Sequence, residues 1–241
     1  MKFERKYVVG VRDIGKDNKI TNFAILSFLE EIASLHSATV GYGVNVIETK
    51  KKVWILMDWK LKVIERPKYG DELVINTWAR PISKHVFYTY RDFEVYCNNK
   101  KVAIATSRWV LVDLNIGRIS KINDDIISLY KPDESHVFEE PELEKVVTPI
   151  ENILTLNYEV KRSDIDINKH MHNLNYLSLA YEALPEEIYL QEEKNNIRIM
   201  YKHQILLKDK VNCYYSRKDD KDIITIKNQD NTVLHAIIEL I

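Results

Sequence analysis

Cysteine is scarce in this chain, which has only Cys97 and Cys213 among its 241 residues. Each lies in a strand-like segment rich in apolar or aromatic residues, where a thiol fits as a small hydrophobic side chain. Neither has the Cys/His spacing of a zinc site, and no sequence neighbour is expected to lower a thiol pKa. We therefore expect two buried free thiols and no metal site.

Long hydrophobic runs are also missing. The longest apolar stretches, residues 23–29 and 54–57, are far shorter than the roughly 20 residues that cross a bilayer as a helix. The first strand-like run, residues 3–11, lacks the basic, apolar and small-residue regions of a signal peptide. A net charge of −1 argues against a general polyanion binder. We expect a cytoplasmic protein with no membrane insertion and no nucleic-acid partner.

Apolar periodicity is lost between residues 131 and 150, where three prolines and a series of acidic residues occur. We interpret residues 131–150 as a linker between an N-terminal part, residues 1–130, and a C-terminal part, residues 151–241. The two parts resemble each other, which a diverged duplication explains. At a constant offset of about 151 residues, five residue types recur: Tyr7, Asp13, Ile14, Asn22 and Ser27 fall opposite Tyr158, Asp164, Ile165, Asn173 and Ser178.

The order of predicted elements is the same in both parts: a short strand, a loop, a helix and a run of longer strands. The helix of the first part is apolar over most of its circumference and should be buried, whereas the second is more amphipathic. This order predicts an α+β fold, a double hot-dog in which antiparallel sheets wrap around a long helix in each of two tandem repeats. The predicted strands after the helices are residues 53–64, 72–80, 86–97 and 102–113, then 197–206, 210–216, 223–227 and 232–240.

The densest group of polar side chains lies in residues 162–173, just before the second helix. At a spacing of two, Asp166, Asn168 and His170 would point the same way from an extended segment. The unpaired N–H groups at the start of the helix can hold developing negative charge beside them. Such a site suits acyl transfer to water. A helix-entry loop, in which acid and amide side chains cap backbone groups, is the alternative interpretation.

Rival motifs in this segment fit poorly. Its acidic residues begin like a calcium loop, but Lys169 stands where glycine is needed and Asn175 where the closing glutamate belongs. His170 and His172 with Asp166 have an unusual spacing for zinc. The chain also has no Gly-x-Ser-x-Gly motif, which argues against a serine hydrolase of the α/β type.

Residues 162–170, with Asn173 and Tyr176, resemble the catalytic signature of the plant and bacterial acyl-acyl carrier protein thioesterases. The resemblance implies a double hot-dog fold and hydrolysis of the thioester between a fatty acyl chain and acyl carrier protein. It also implies that the protein uses no cofactor and no metal. Further similarities span nearly the whole chain, at residues 66–71, 77–78, 91–93 and 105–113.

The resemblance assigns catalytic positions to Asp166, Asn168 and His170, and a fourth, occupied by a carboxylate in the family, to Gln204. Glutamine can orient water but cannot accept a proton as a carboxylate does. The cysteine of the plant members is replaced by Ile205, so that position offers no thiol nucleophile. We therefore expect water to attack the thioester, with Gln204 only positioning it.

A single active site per chain is expected, because the duplication places glycine, aspartate and lysine opposite the catalytic set, at Gly15, Asp17 and Lys19. The first part would then supply the acyl pocket, although its candidate residues also suit an ordinary core. Two other functions stay open on this fold, an acyl-CoA thioesterase and a non-catalytic acyl-binding module, and a homodimer is possible. The candidate pocket residues are Phe28, Ile32, Trp54 and Leu56.

Overall fold

The computed structural model describes residues 2–82, 86–150 and 152–241. The chain forms two compact units, which meet in sequence between Leu143 and Glu144. This division falls inside the segment 131–150 that the sequence predicts as a linker. Both cysteines are free and buried, which confirms the sequence prediction.

The N-terminal unit contains one long helix and a twisted antiparallel sheet. The elements are β1 (Phe3–Val8), α1 (Asn22–Thr39), a 3₁₀ turn (Val44–Val46), α2 (Ile47–Lys50), β2 (Lys52–Val63), β3 (Glu72–Ala79), β4 (Thr89–Cys97), β5 (Lys100–Asp113), β6 (Arg118–Ser120) and α3 (Asp124–Leu129). The strands of the sheet are in the order β1-β3-β4-β5-β2, and β6 pairs with the far end of β5.

Helix α1 begins at a threonine cap and is buried along most of its length. The Thr21 hydroxyl accepts a hydrogen bond from the Ala24 amide at 3.2 Å, which satisfies one of the free N–H groups of the first turn. Its apolar residues pack against β1 and β3, and Leu26, Leu29 and Ile32 are fully buried. The predicted burial of this helix is confirmed.

The C-terminal unit repeats this plan with a shorter helix. The elements are β7 (Ile153–Glu159), a 3₁₀ turn (Arg162–Asp164), α4 (Asn173–Glu182), α5 (Glu186–Tyr189), β8 (Asn196–Tyr201), β9 (Lys210–Lys218), β10 (Lys221–Asn228) and β11 (Leu234–Leu240). The strands are in the order β8-β11-β10-β9-β7, all antiparallel, and helix α4 packs on β10 and β11.

The prediction of a strand over residues 197–206 is wrong at its end, because β8 stops at Tyr201. The chain turns instead, since the Leu206 amide donates to the Asp209 carboxylate at 2.8 Å and Lys208 has a positive φ of 69°. Gln204 therefore lies in an exposed segment after the strand. Local side-chain hydrogen bonds have replaced the sheet ladder here.

Residues 131–150 contain no helix or strand, yet they are tied to the folded units. In the N-terminal unit, the Trp78 indole donates to the Ser135 carbonyl at 2.9 Å. In the C-terminal unit, Arg198 donates to the Glu144 carbonyl at 2.9 Å, and Val146 is buried against strand residues. The segment is therefore not a free linker: its first part is bound within the N-terminal unit and its last part within the C-terminal unit.

Among the described residues, no single helix has the length and apolar composition to cross a membrane; α1 and Val44–Lys50 meet that test together only as a bent pair.

Loss of the buried Arg80–Asp92 ion pair should destabilise the N-terminal unit. The Arg80 guanidinium contacts both carboxylate oxygens, at 2.5 and 2.7 Å, and Arg80→Ala would leave a buried carboxylate unpaired. We expect the free energy of unfolding in urea to fall by about 3–5 kcal/mol. Lys6→Ala, which breaks the exposed pair with Glu72, is the control and should leave it unchanged. Equal effects of the two variants would contradict this assignment.

Candidate active site

The segment that carries the predicted catalytic residues is a closed turn. The Asp166 amide donates to the His170 carbonyl at 2.9 Å, and the Lys169 amide donates to the Asp166 carbonyl at 3.0 Å. Lys169 reverses the chain with a φ of 65°, in the left-handed region. The expectation of an extended segment is therefore wrong, because backbone hydrogen bonds close it.

The Asp166 carboxylate organises this turn. One oxygen accepts from the backbone amides of Asn168, at 2.8 Å, and His170, at 3.4 Å. The other accepts from the Asn168 side-chain amide at 3.3 Å. The turn thus brings acid and carboxamide together, and the acid fixes the direction of the carboxamide. The helix-entry interpretation is correct for Asp166, which does cap backbone groups.

Neighbouring elements of the same unit anchor both ends of the turn. At its start, Tyr158 donates to the Asp164 carboxylate at 2.8 Å, and the His172 amide donates to the Asp164 carbonyl at 2.8 Å. At its end, the Met171 amide donates to the Ile205 carbonyl at 2.8 Å. The catalytic candidates therefore lie on a rigid support.

The carboxamide and the imidazole of this loop are open to solvent. Asn168 is exposed and His170 is half-buried. The His170 ring makes no hydrogen bond to the described residues, so both groups are available to water or a substrate. Ile167, at the tip of the turn, is 73% exposed.

His172 is a functional feature that the sequence interpretation missed. It caps helix α4, since its Nδ1 accepts from the Leu174 amide at 3.2 Å, which places the ring proton on Nε2. Burial lowers the pKa of His172, while the charge of Asp166 opposes that shift. The Leu174 amide, one of the helix N–H groups expected to hold negative charge, is therefore already hydrogen-bonded. The sequence signal for this capping role was the position of His172 immediately before the predicted helix.

His235 supports the exposed segment that carries Gln204. Its Nδ1 donates to the His203 carbonyl at 3.1 Å, and the Tyr176 hydroxyl donates to the same carbonyl at 3.4 Å. Burial lowers the pKa of His235, which keeps the ring neutral. Gln204 is thus held next to Ile205, whose carbonyl binds the catalytic loop. The sequence alone did not show which groups His172 and His235 contact.

An apolar cavity of about 100 Å³ lies in the N-terminal unit, and about 650 Å³ is reached when the open solvent at its mouth is counted. Of the four candidate pocket residues, Trp54 lines it. Ile32 and Leu56 are buried core residues, and Phe28 stacks on Tyr7 with ring centroids 4.8 Å apart. The sequence interpretation did not include several other lining residues, among them Tyr42, Arg91, Trp109 and Tyr130.

The N-terminal unit contains the same closed turn without the catalytic groups. The Gly15 amide donates to the Lys19 carbonyl at 2.9 Å, and the Asn18 amide donates to the Gly15 carbonyl at 3.1 Å. Asn18 takes the left-handed position with a φ of 61°. The turn therefore occurs in both units, whereas the acid, amide and imidazole side chains occur together in the C-terminal unit. No group of three metal-ligating side chains occurs among the residues that the structure describes.

Solved structures with the same architecture identify the fold. An acyl-ACP thioesterase from Bacteroides thetaiotaomicron superposes with a TM-score of 0.86 at 20% identity, covering 100% of this chain and 97% of that one. The 12:0-ACP thioesterase from Umbellularia californica gives 0.84 at 16% identity, covering 99% and 96%. The predicted double hot-dog fold is confirmed.

Sequence comparisons identify the family. The acyl-ACP thioesterase N-terminal domain model matches residues 1–130, and the C-terminal domain model matches residues 147–239. The chain belongs to the acyl-ACP thioesterase family. It is 24% identical to the oleoyl-acyl carrier protein thioesterase of Coriandrum sativum and 25% identical to the palmitoyl-acyl carrier protein thioesterase of Cuphea hookeriana. The alignments cover 94% and 84% of this chain but 66% and 51% of those relatives.

Strain at the left-handed position should distinguish the two turns. Lys169→Ile puts a β-branched residue at positive φ and should cost about 1–3 kcal/mol of stability and slow thioester hydrolysis. Asn18→Ile, the matched control, should cost similar stability and leave hydrolysis unchanged, while Lys169→Gly should preserve both. Urea unfolding and initial rates check this. Equal slowing by the two isoleucine variants would contradict the assignment of catalysis to the second turn.

Stability should fall in mild acid because of His36, which is buried beside the cavity. Burial and the nearby Arg91 charge lower the pKa of His36 from 6.5 to about 3. The unfolded chain therefore binds a proton below pH 6.5 that the folded protein excludes. Between pH 8 and pH 5 this should remove up to about 2 kcal/mol of unfolding free energy. His36→Gln should show a smaller loss by urea titration, and an identical loss would refute the assignment.

Proposed function

We propose that the protein hydrolyses the thioester of fatty acyl-acyl carrier protein and releases a free fatty acid. The observation that carries this proposal is the closed turn with Asp166, Asn168 and His170, held rigidly before α4 in a member of the thioesterase family. Two of the plant relatives are an oleoyl- and a palmitoyl-acyl carrier protein thioesterase, which supports the same reaction.

Water is the nucleophile in this proposal. His170 takes a proton from water as the water oxygen bonds to the thioester carbonyl carbon. The Asn168 carboxamide, oriented by Asp166, donates to the carbonyl oxygen as it gains negative charge. The carbon–sulfur bond then breaks, and the proton passes from His170 to the departing sulfur. The products are the free fatty acid and the thiol of the carrier, and one water molecule is consumed for each thioester.

Gln204 takes a limited part. Its exposed position beside Ile205 suits hydrogen bonding to the attacking water. Because an amide does not accept a proton at neutral pH, Gln204 supplies no base catalysis. His170 is then the base in this loop, and the enzyme should be slower than one with a carboxylate at this position.

The carrier is the second part of the proposal. Lys50, Lys51 and Lys52 form a basic run that suits an acidic carrier protein. Lys51 pairs with Glu48 at 3.3 Å and Lys50 lies over the Tyr42 ring at 4.0 Å, which leaves both ammonium groups partly exposed. Coenzyme A, with its own phosphates, is the competing carrier.

Cytoplasmic location without membrane insertion, the lack of a nucleic-acid partner and a possible homodimer stay predictions from the sequence.

The loop assignment is tested by hydrolysis rates of dodecanoyl-acyl carrier protein and dodecanoyl-CoA. His170→Ala should lower kcat by about 10²–10⁴-fold, the usual contribution of general acid–base catalysis. Gln204→Glu should raise it, because a carboxylate adds a second base. Lys19→Ala, at the matching position of the N-terminal turn, is the control and should keep the wild-type rate.

The outcomes separate the three functions. Faster turnover of the carrier-protein substrate supports the proposal, and faster turnover of the CoA substrate selects an acyl-CoA thioesterase. Binding without turnover selects an acyl-binding module. Equal rates for wild type and His170→Ala would refute the catalytic role of the loop.

A further inference from the structure

A buried arginine lines the cavity of the N-terminal unit. Arg91 on β4 is only 5% exposed and forms part of the cavity wall. Its Nη1 contacts the His36 Nδ1 at 3.0 Å and donates to the Thr77 hydroxyl at 3.2 Å. The guanidinium also lies 5.5 Å from the centre of the Tyr130 ring. None of these partners carries a negative charge.

Arg80, next to the same strand, shows how this sheet satisfies a buried arginine. It is 4% exposed, and its Nε and Nη2 atoms both bind the Asp92 carboxylate. The Thr106 hydroxyl and the Pro141 carbonyl accept its remaining hydrogen bonds. By contrast, the Nε and Nη2 atoms of Arg91 have no acceptor among the described residues, and Arg91 makes no ion pair with them.

A buried guanidinium without a counter-charge is costly. Burial without a counter-charge lowers the pKa of Arg91 to about 10, so the group still carries its charge near neutral pH. The neighbouring hydroxyl groups are already engaged, since Trp54 donates to the Tyr130 hydroxyl at 2.8 Å and that hydroxyl donates to Ser37 at 3.2 Å. Arg91 is thus the charged side chain in the wall of a mainly apolar cavity.

We infer that this cavity binds acyl chains that carry an oxygen acceptor along the chain, a keto, hydroxyl or carboxylate group, and that Arg91 recognises that oxygen. The inference rests on the proposed function, because it names the acyl groups that the thioesterase would prefer. The apolar wall formed by Ala33, Val44, Ile47, Val53 and Trp54 suits the hydrocarbon part of such a chain.

A panel of substrates tests the inference. Wild-type kcat/KM is measured for dodecanoyl-acyl carrier protein, for chains with a keto group at each successive carbon, and for the ω-carboxyl and ω-hydroxyl chains. A hydrogen bond to a charged donor should favour the best oxygenated chain over the plain chain by about 10–100-fold. A preference for the ω-carboxyl chain would identify an anionic ligand, and a preference for a keto or hydroxyl chain a neutral one.

Two variants separate Arg91 from other polar groups of the cavity. Arg91→Met keeps the length of the side chain and should remove the preference while the plain chain is still hydrolysed. Thr89→Val removes a cavity hydroxyl without changing shape and should keep the preference. Loss of the preference in Thr89→Val but not in Arg91→Met would overturn the inference, and so would equal wild-type rates for plain and oxygenated chains.

Direct binding keeps the test independent of catalysis and of variant folding. In ¹⁵N-labelled wild type, 2-dodecanone or another dodecanone isomer should shift the Arg91 Nε–H resonance, whereas dodecane should not. If no substrate is hydrolysed but this shift occurs, the proposed function fails and the ligand class stands. If plain chains are hydrolysed and no dodecanone isomer shifts the resonance, the ligand class fails and the function stands.

Discussion

The hydrogen bonds that the Asp166 carboxylate accepts are the constraint on which the catalytic loop depends. They hold a short turn that backbone hydrogen bonds close around Lys169, which lies in the left-handed region, and they direct the Asn168 carboxamide. A rigid turn of this kind suits catalysis because a group that is already oriented needs no reorganisation in the transition state. In the proposed reaction the acid acts through geometry, and proton transfer is assigned to His170.

The closed turn occurs in both units, whereas the acid, amide and imidazole occur together in the second. Both units hold the same backbone hydrogen bonds around a left-handed residue, at Asn18 and at Lys169. Gly15 and Lys19 in the first copy replace the acid and the imidazole of the second. The first unit also contains a cavity in whose wall Arg91 has no counter-charge among the described residues.

The sequence was sufficient for the architecture because hydrophobic periodicity and turn residues determine the elements. The buried helix α1, both meanders and the family were all predictable. The sequence could not show that the catalytic segment is closed, since two-residue spacing cannot distinguish a strand from a turn made by Asp166. It also hid the roles of His172 and His235, whose partners are a helix amide and a carbonyl that only the fold brings near. The cavity lining was missed because Arg91 lies in a strand whose partners come from distant segments.

Isotope labelling in a single turnover tests the central claim, that the loop directs water to the thioester while Asp166 only holds the turn. The protein is mixed in excess with dodecanoyl-acyl carrier protein in H₂¹⁸O, and the released acid is analysed by mass spectrometry. Direct attack by water predicts one ¹⁸O atom in the dodecanoic acid of the first turnover. An unlabelled acid, with the ¹⁸O in the Asp166 carboxylate, would show that Asp166 is the nucleophile and would contradict this account.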